Sequence, residues 1–160
     1  MEQLTAKDVM TSNVVTIRDD APLSELVSLL SEHMITGAPV VDSSGKLVGV
    51  VSATDVAREG ARRRSGIRRE VPPDFYVGSA EFQGEDMRAY LVEEESDQLV
   101  RDIMTSVIFS VPQNASVAEM ADTMIGGRVH RLIVTEGSRV VGIVTTLDIL
   151  RGLRDSLRGI

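Results

Sequence analysis

Lys7-Asp8-Val9-Met10-Thr11-Ser12 returns 94 positions later as Arg101-Asp102-Ile103-Met104-Thr105-Ser106. Outward from these two hexapeptides the likeness holds its register. Ala21-Pro22-Leu23-Ser24-Glu25-Leu26 answers to Ala115-Ser116-Val117-Ala118-Glu119-Met120, and Pro39-Val40-Val41-Asp42 to Ile133-Val134-Thr135-Glu136. Past the next turn the second copy is one residue shorter. There Val48-Gly49-Val50-Val51-Ser52-Ala53-Thr54-Asp55-Val56 faces Val141-Gly142-Ile143-Val144-Thr145-Thr146-Leu147-Asp148-Ile149. A register kept over ~50 residues, with its one slip in a turn where insertions are tolerated, is an internal duplication.

Each copy predicts the same elements. Asp-Val-Met and Asp-Ile-Met read as a short helical turn, and Asn13 to Ile17 and Val107 to Val111 as short strands. An amphipathic helix follows. In the first copy Leu23, Leu26, Val27, Leu30 and Met34 fall at helical spacing, with Asp19 or Asp20 to cap it and Pro22 suited to its first turn. In the second, Val117, Met120, Ala121 and Met124 make the stripe, and Ser116 with Glu119 has capping-box spacing. Strands at Ala38 to Val41 and Leu47 to Val51 flank the turn Asp42-Ser43-Ser44-Gly45; their counterparts are Leu132 to Thr135 and Val140 to Val144, joined through Glu136-Gly137-Ser138. A last helix begins near Thr54-Asp55 and Leu147-Asp148. A copy of ~50 residues does not bury its apolar faces alone, whereas two copies together do. The expectation is an α+β fold with helices against small three-stranded sheets, internal pseudo-twofold symmetry, and two equivalent clefts between the copies.

Composition sets the limits. The 160 residues are 42% hydrophobic and 26% charged, ordinary globular usage, but only 3% aromatic and without Trp. The core must therefore come from Val, Leu, Ile, Met and Ala. No Cys is present, which excludes disulfides, thiolate metal sites and a Cys nucleophile. No apolar run reaches the ~20 residues of a membrane span, and the N-terminal stretch lacks the pattern of a signal peptide, so a cytoplasmic location with no membrane partner is expected. The net charge of −7 opposes nucleic acid taken over the whole chain. The two His residues, His33 and His130, have no metal-ligand spacing. P-loop, nucleophile-elbow and His-Glu-x-x-His motifs are absent, and only two Lys occur. No catalytic residue, no metal site and no enzymatic activity are expected.

Between the copies (1–58 and 100–160) lies an insert, 59–99, with no repeat partner. It opens with Arg62, Arg63, Arg64, Arg68 and Arg69, which extend the preceding helix. It turns at Val71-Pro72-Pro73-Asp74, carries Phe75, Tyr76, Gly78, Phe82 and Gly84 in a loop, and ends with Glu93-Glu94-Glu95. Two of the three Phe and both Tyr are here, so this segment is expected to pack on its own domain or on a second subunit.

These markers resemble those of tandem CBS-domain proteins, also called Bateman modules. The resemblance covers about Leu4 to Arg58 and Val100 to Leu157. It rests on Asp-Val-Met-Thr and Asp-Ile-Met-Thr; on His33 followed by Ala38-Pro39-Val40-Val41-Asp42, and His130-Arg131-Leu132-Ile133-Val134; and on Gly49-Val50-Val51-Ser52-x-x-Asp55 and Gly142-Ile143-Val144-Thr145-x-x-Asp148. The family pattern is silent on the insert. The resemblance implies binding of adenosine compounds (AMP, ADP or ATP, with S-adenosylmethionine possible) in the two clefts. It also implies a regulatory role with no required cofactor, and a homodimer of four repeats. Carried over residue by residue, one ligand set is Thr145 and Asp148 with Thr11, Asn13, Val15, Ile35 and Thr36. The other is Ser52 and Asp55 with Thr105, Val107, Phe109, Val129 and His130. Arg131 stands where relatives reach a phosphate; its counterpart is Gly37, so the two sets are expected to be unequal.

The Ser/Thr-x-x-Asp signature has its own chemistry. A carboxylate at a helix start accepts hydrogen bonds from both hydroxyls of a ribose, while the helix N-terminus offers free N–H groups to phosphate. The same Asp is also an ordinary helix cap, and each apolar member of the sets also fits plain core packing. Three functions remain open on sequence: an adenosine-nucleotide sensor acting on an effector protein in trans, nucleic-acid binding through the Arg cluster, or a structural dimerisation scaffold. The Arg cluster equally reads as a solvated face pairing with Glu59, Glu70 or the acidic run.

Overall fold

The strand pairs on either side of Asp42-Ser43-Ser44-Gly45 and Glu136-Gly137-Ser138 form the centre of each copy. In a computed structural model, which describes residues 3–65, 74–77 and 97–159 (backbone alone at 61–65, 74 and 77), the elements run in this order. They are α1 (Ala6–Val9), β1 (Ile17–Arg18), α2 (Leu23–Glu32), β2 (Gly37–Val41), β3 (Leu47–Ser52), α3 (Ala53–Ser65), α4 (Asp74–Val77), α5 (Val100–Ile103), β4 (Ser110–Pro112), α6 (Val117–Gly127), β5 (Arg131–Glu136), β6 (Arg139–Thr145) and α7 (Thr146–Arg158). Among the described residues the strands form two three-stranded sheets of the same topology, β1-β2-β3 and β4-β5-β6. In each, the first strand is parallel to the second and the second antiparallel to the third. The fold is α+β with two repeats, as the duplication predicts. Gly45 and Gly137 close the hairpins at φ 84° and 61°, where a side chain would be strained.

The chain divides into two compact units. Of the described residues, unit I holds 15–65, 74–75 and 97–107, and unit II holds 3–14, 76–77 and 108–159. The lead segments are exchanged: α1 opens the first copy but packs in unit II, and α5 opens the second but packs in unit I. The backbone shows why. In unit II, Ala6 and Lys7 donate to the carbonyls of Ala115 and Gln113 at 2.8 and 2.9 Å. In unit I, Val100 and Arg101 donate to Ala21 and Asp19, both at 2.9 Å. The first turns of α1 and α5 thereby place two otherwise orphaned N–H groups each.

The motif glycines make room for this docking. A Cβ on Gly142 would collide with the Met10 side chain, and one on Gly49 would lie 2.6 Å from the Thr105 carbonyl and 3.0 Å from the Met104 sulfur. Met and Gly in the motifs are thus two halves of one contact. Gly142→Ala is expected to lower unfolding free energy by about 1–3 kcal/mol, the cost of overpacking a filled site. Urea denaturation checks this; an unchanged midpoint would show that Met10 moves aside freely.

Unit I buries Leu23, Leu26, Val27 and Leu30 of α2 against Ile17, Val40, Val51, Val56 and Val100. Unit II buries Met120 and Met124 with Leu132, Ile133, Val134, Val144 and Ile149. The Ser116–Glu119 capping box forms as its spacing predicts, Glu119 N–H donating to Ser116 Oγ at 3.2 Å and Ser116 N–H to the Glu119 carboxylate at 2.7 Å.

Three local expectations are corrected. The strands expected at Asn13 to Ile17 and Val107 to Val111 shrink to Ile17–Arg18 and Ser110–Pro112. Thr11 is already paired to Ile143 in unit II while Ile17 pairs with Val40 in unit I, so the residues between them pass from one unit to the other and cannot stay in one ladder. Met34 does not join the buried stripe: α2 ends at Glu32, and Met34, at φ 51°, is 92% exposed. The left-handed residue turns the chain so that Ile35 N–H reaches the Leu30 carbonyl at 3.1 Å. Arg128, at φ 53°, does the same for Val129 and Met124. Finally, α2 is capped by Pro22 without a side-chain bond; Asp20 pairs with Arg18 instead, at 2.8 Å.

The expected helix extension into the insert is observed as far as Ser65. The side chains of Arg62, Arg63 and Arg64, and Arg68, Arg69, Glu70, Val71 to Pro73, Gly78, Phe82, Gly84 and Glu93 to Glu95, lie outside the described residues. No helix among the described residues is long and apolar enough to cross a membrane.

Candidate functional site

Each β3-type strand ends in a hydroxyl residue and runs directly into a helix, and that junction builds the Ser/Thr-x-x-Asp signature. In unit II, Thr145 ends β6 and caps α7. Its N–H and its hydroxyl both donate to Asp148 Oδ2 at 2.8 Å, and Asp148 N–H donates back to Thr145 Oγ1 at 3.3 Å. In unit I, Ser52 and Asp55 repeat the arrangement: 2.7 Å from Ser52 N–H, 3.0 Å from its hydroxyl, and 3.3 Å for the return bond. The cap occupies Oδ2 of both carboxylates with two donors. Oδ1 of Asp148 faces Arg151, and Oδ1 of Asp55 faces Arg58, each at 3.5 Å. The sequence treats the carboxylate as able to take a ribose with both oxygens; the structure commits Oδ2 to the cap and sets Oδ1 toward an arginine one turn on.

The two junctions differ in what stands across the sheet. Arg131, the first residue of β5, is the register partner of Thr145, and Gly37, the first of β2, is the partner of Ser52. Arg131 is half-buried. Burial pulls its guanidinium below the ordinary arginine value, and the Asp148 charge opposes that pull. Unit II therefore concentrates a cation and an anion at one strand end, where unit I has a glycine and an anion.

Thr11 and Thr105 reach these junctions through the exchanged lead segments. Thr11 exchanges backbone bonds with Ile143, 2.9 and 3.0 Å, two residues before Thr145; Thr105 does so with Val50, 2.9 and 3.0 Å, two residues before Ser52. Of the first expected set, Thr11, Asn13, Arg131, Thr145 and Asp148 belong to unit II, and Val15, Ile35 and Thr36 to unit I. Of the second, Ser52, Asp55, Thr105 and Val107 belong to unit I, and Phe109, Val129 and His130 to unit II. Thr11, Asn13 and Thr36 are exposed, Val15 and Ile35 half-buried, and Val129 buried.

Sequence reasoning did not connect the insert to either set. Tyr76 of α4 is buried in unit II, where its hydroxyl accepts the Phe109 N–H at 3.0 Å and its carbonyl accepts the His130 N–H at 2.9 Å. Its ring meets Phe109 edge to face, centroids 5.0 Å apart. Burial pushes the Tyr76 hydroxyl up to about 12, partly offset by the Phe109 bond. Phe75 is buried in unit I. The concentration of aromatics in the insert was the available signal.

Unit II also holds a cleft of about 430 Å³ between α6, α7 and the approach to β5. Met124, Ile125, Val129, Ile149 and Leu150 line it with Arg128, His130 and Thr146, but neither Asp148 nor Arg131 does.

Comparison with known proteins places this geometry. The CBS-domain pattern matches residues 6–62 and 100–155. An uncharacterized protein of Methanocaldococcus jannaschii, MJ1426, is 26% identical over 95% of this chain and 92% of its own length. The chain spans smaller shares of other relatives, 23% in the case of an inosine-5'-monophosphate dehydrogenase from the same organism. Among solved structures, the CBS domain of a CBS domain containing membrane protein from Sphaerobacter thermophilus has a TM-score of 0.66 and 28% identity, covering 93% of this chain and 87% of that one. CBSX2 in complex with AMP has 0.65 and 23%, covering 96% and 98%. The CBS domain pair of protein MJ0100 with 5'-methylthioadenosine and S-adenosyl-L-methionine has 0.64 and 22%, covering 96% and 98%. The last two are alike in fold. Two pattern matches in one chain, two sheets of one topology and a Ser/Thr-x-x-Asp cap at the end of each lead to one assignment: this chain belongs to the CBS-domain family and carries two CBS repeats in tandem.

Proposed function

We propose that this chain is a regulatory sensor of adenosine compounds, AMP, ADP or ATP, and that it acts on an effector protein in trans rather than by catalysis. The observation that carries the reading is the meeting, in unit II, of the Thr145–Asp148 cap with Arg131 on the neighbouring strand. Asp148 Oδ1 takes the ribose hydroxyls and Arg131 takes phosphate oxygens, a charge-assisted pairing at which Arg excels. Thr11, Asn13, Val15, Ile35 and Thr36 complete the set. The AMP bound to CBSX2 and the 5'-methylthioadenosine and S-adenosyl-L-methionine bound to MJ0100 support the ligand class. Repeats 1–58 and 100–160, joined by the 59–99 insert, work as one cytoplasmic module.

A homodimer is part of this reading. Ile125 of α6 and Leu147, Leu150 and Leu157 of α7 are 75, 61, 55 and 81% exposed, and large apolar side chains left to water are the material of an interaction surface. Arg154 and Asp155 on α7 pair with each other at 2.7 Å, so they set no uncompensated charge against a second copy of this chain across a two-fold. A ligand then acts by favouring one arrangement of the dimer, in proportion to its different affinity for the two.

The test is a thermal-shift panel with AMP, ADP, ATP, GTP and S-adenosylmethionine on the wild type and Arg131→Gln. Adenosine compounds alone are expected to raise the melting temperature. Arg131→Gln is expected to weaken ATP and AMP binding by about 10-fold or more, the equivalent of one lost charge-assisted contact, and to spare S-adenosylmethionine, which has no phosphate. Folded protein that responds to no compound would sink the reading.

A further inference from the structure

We propose that the cleft of unit II between α6 and α7 binds an amphipathic monocarboxylate. Arg128 and His130 hold the carboxylate, and the hydrocarbon chain lies along Met124, Ile125, Ile149 and Leu150. The site is distinct from the adenosine site at Asp148 and does not depend on the sensor reading.

The cleft belongs to one unit. Its described lining residues all fall between Ala121 and Leu150, within unit II, and neither Arg131 nor Asp148 is among them. Its volume of about 430 Å³ lies in the range usual for small-ligand sites, about 300–1,000 Å³. The walls are hydrocarbon and a thioether. Ile125 and Leu150 are 75 and 55% exposed, so apolar wall stands in water, and an apolar chain laid against it removes that surface from water.

The polar lining decides the charge of the occupant. It consists of Arg128, His130 and Thr146, with no carboxylate among the described lining residues, in a chain of 24 acidic residues against 17 basic ones. Among the described residues the Arg128 guanidinium has no carboxylate partner. A single anionic head on an apolar body complements one cation beside apolar walls. The backbone fixes both holding residues. Arg128 closes α6 in the left-handed region, φ 53°, its N–H donating to the Ile125 carbonyl at 3.3 Å. His130 is anchored on both sides: its N–H donates to the Tyr76 carbonyl at 2.9 Å, and its carbonyl accepts the Thr146 N–H at 3.0 Å. Its imidazole is left to the cleft.

The duplication supplies an internal control. In the first copy Met34 takes the place of Arg128 in the same left-handed turn, φ 51°, and Thr36 the place of His130. The turn therefore forms without an arginine, and Arg128 serves something other than the turn. Leu150 answers to Ala57, so part of the apolar wall is also particular to the second copy.

The experiment is titration of the whole chain, methyl-labelled at methionine, with octanoate, followed by the Met124 methyl signal in NMR and by calorimetry. Octanoate is expected to saturate at one per chain and to move the Met124 signal. 1-Octanol, the same chain without the charge, is expected to bind about 10-fold more weakly or worse, and Arg128→Gln to bring octanoate down to the level of octanol. Leu150→Ala is expected to weaken both several-fold. AMP is expected to bind Arg128→Gln as it binds the wild type. Folded wild type that octanoate does not saturate overturns the proposal, as does equal binding of octanoate and octanol, or octanoate binding unchanged in Arg128→Gln. A Met124 signal that moves with protein concentration and not with octanoate puts a second copy of this chain in the cleft, and that too overturns it.

Discussion

Asp148→Ala is expected to abolish the ligand-induced rise in melting temperature while leaving a folded protein. At 100 times its dissociation constant a ligand stabilises the native state by about 2.7 kcal/mol. In a chain of this length that is a shift of roughly 5–10 °C. The substitution removes the carboxylate that Thr145 N–H and Thr145 Oγ1 both engage, so a cap worth about 1 kcal/mol is lost as well. The two losses separate cleanly when each protein is compared with itself, with and without AMP. The cap loss lowers both curves alike; the ligand loss closes the gap between them. Asp55→Ala loses a cap of the same geometry and is expected to keep most of the gap, because Gly37 stands across the sheet from its junction where Arg131 stands across from the other. A gap that survives in Asp148→Ala would remove that residue from the site.

Leu132→Ala is expected to cost about 2–5 kcal/mol, the largest effect of any single substitution considered. Leu132 lies in β5, fully buried, and in register with Val144 of β6. Its neighbours Ile133 and Val134 are buried too, so the strand cannot tilt to fill the void. Met34→Ala, on a side chain that is 92% exposed, is expected to stay within about 0.5 kcal/mol. Urea denaturation of the pair at one protein concentration measures both. A Leu132→Ala cost below about 1 kcal/mol would mean that the sheet repacks around the loss.

The repeated hexapeptide, the hairpin turns and the capping boxes were legible because they are local. Ser116–Glu119, Ser52–Asp55 and Thr145–Asp148 each need only a hydroxyl residue and a carboxylate three positions apart, and the bonds follow from that spacing. Met34 shows the limit of such reading. Its spacing belongs to the α2 stripe, yet the chain leaves the helix at Glu32 and turns through a left-handed residue, so it points to water. Periodicity records which side chains would share a face if the helix continued; it does not record where the helix stops.

The site was half legible. Asp148, Thr145 and Arg131 were named from the motif, and the register that sets Arg131 opposite Thr145 follows from the hairpin. The exchange of lead segments was not visible in the residue pattern. Met10 docks on Gly142 and Met104 on Gly49, each across the boundary between repeats. The sequence alone would allow Met10 on Gly49 equally well, since the two copies are alike. Nor did any motif join Phe75 to Gly37 or Tyr76 to Phe109, residues 38 and 33 positions apart. By itself the sequence determined the two α+β repeats, their caps and their aliphatic cores, because period, turn and cap chemistry act over a few residues. Tertiary structure alone decided which copy receives each lead segment and what the insert covers, because those choices depend on shape complementarity between surfaces far apart in the chain.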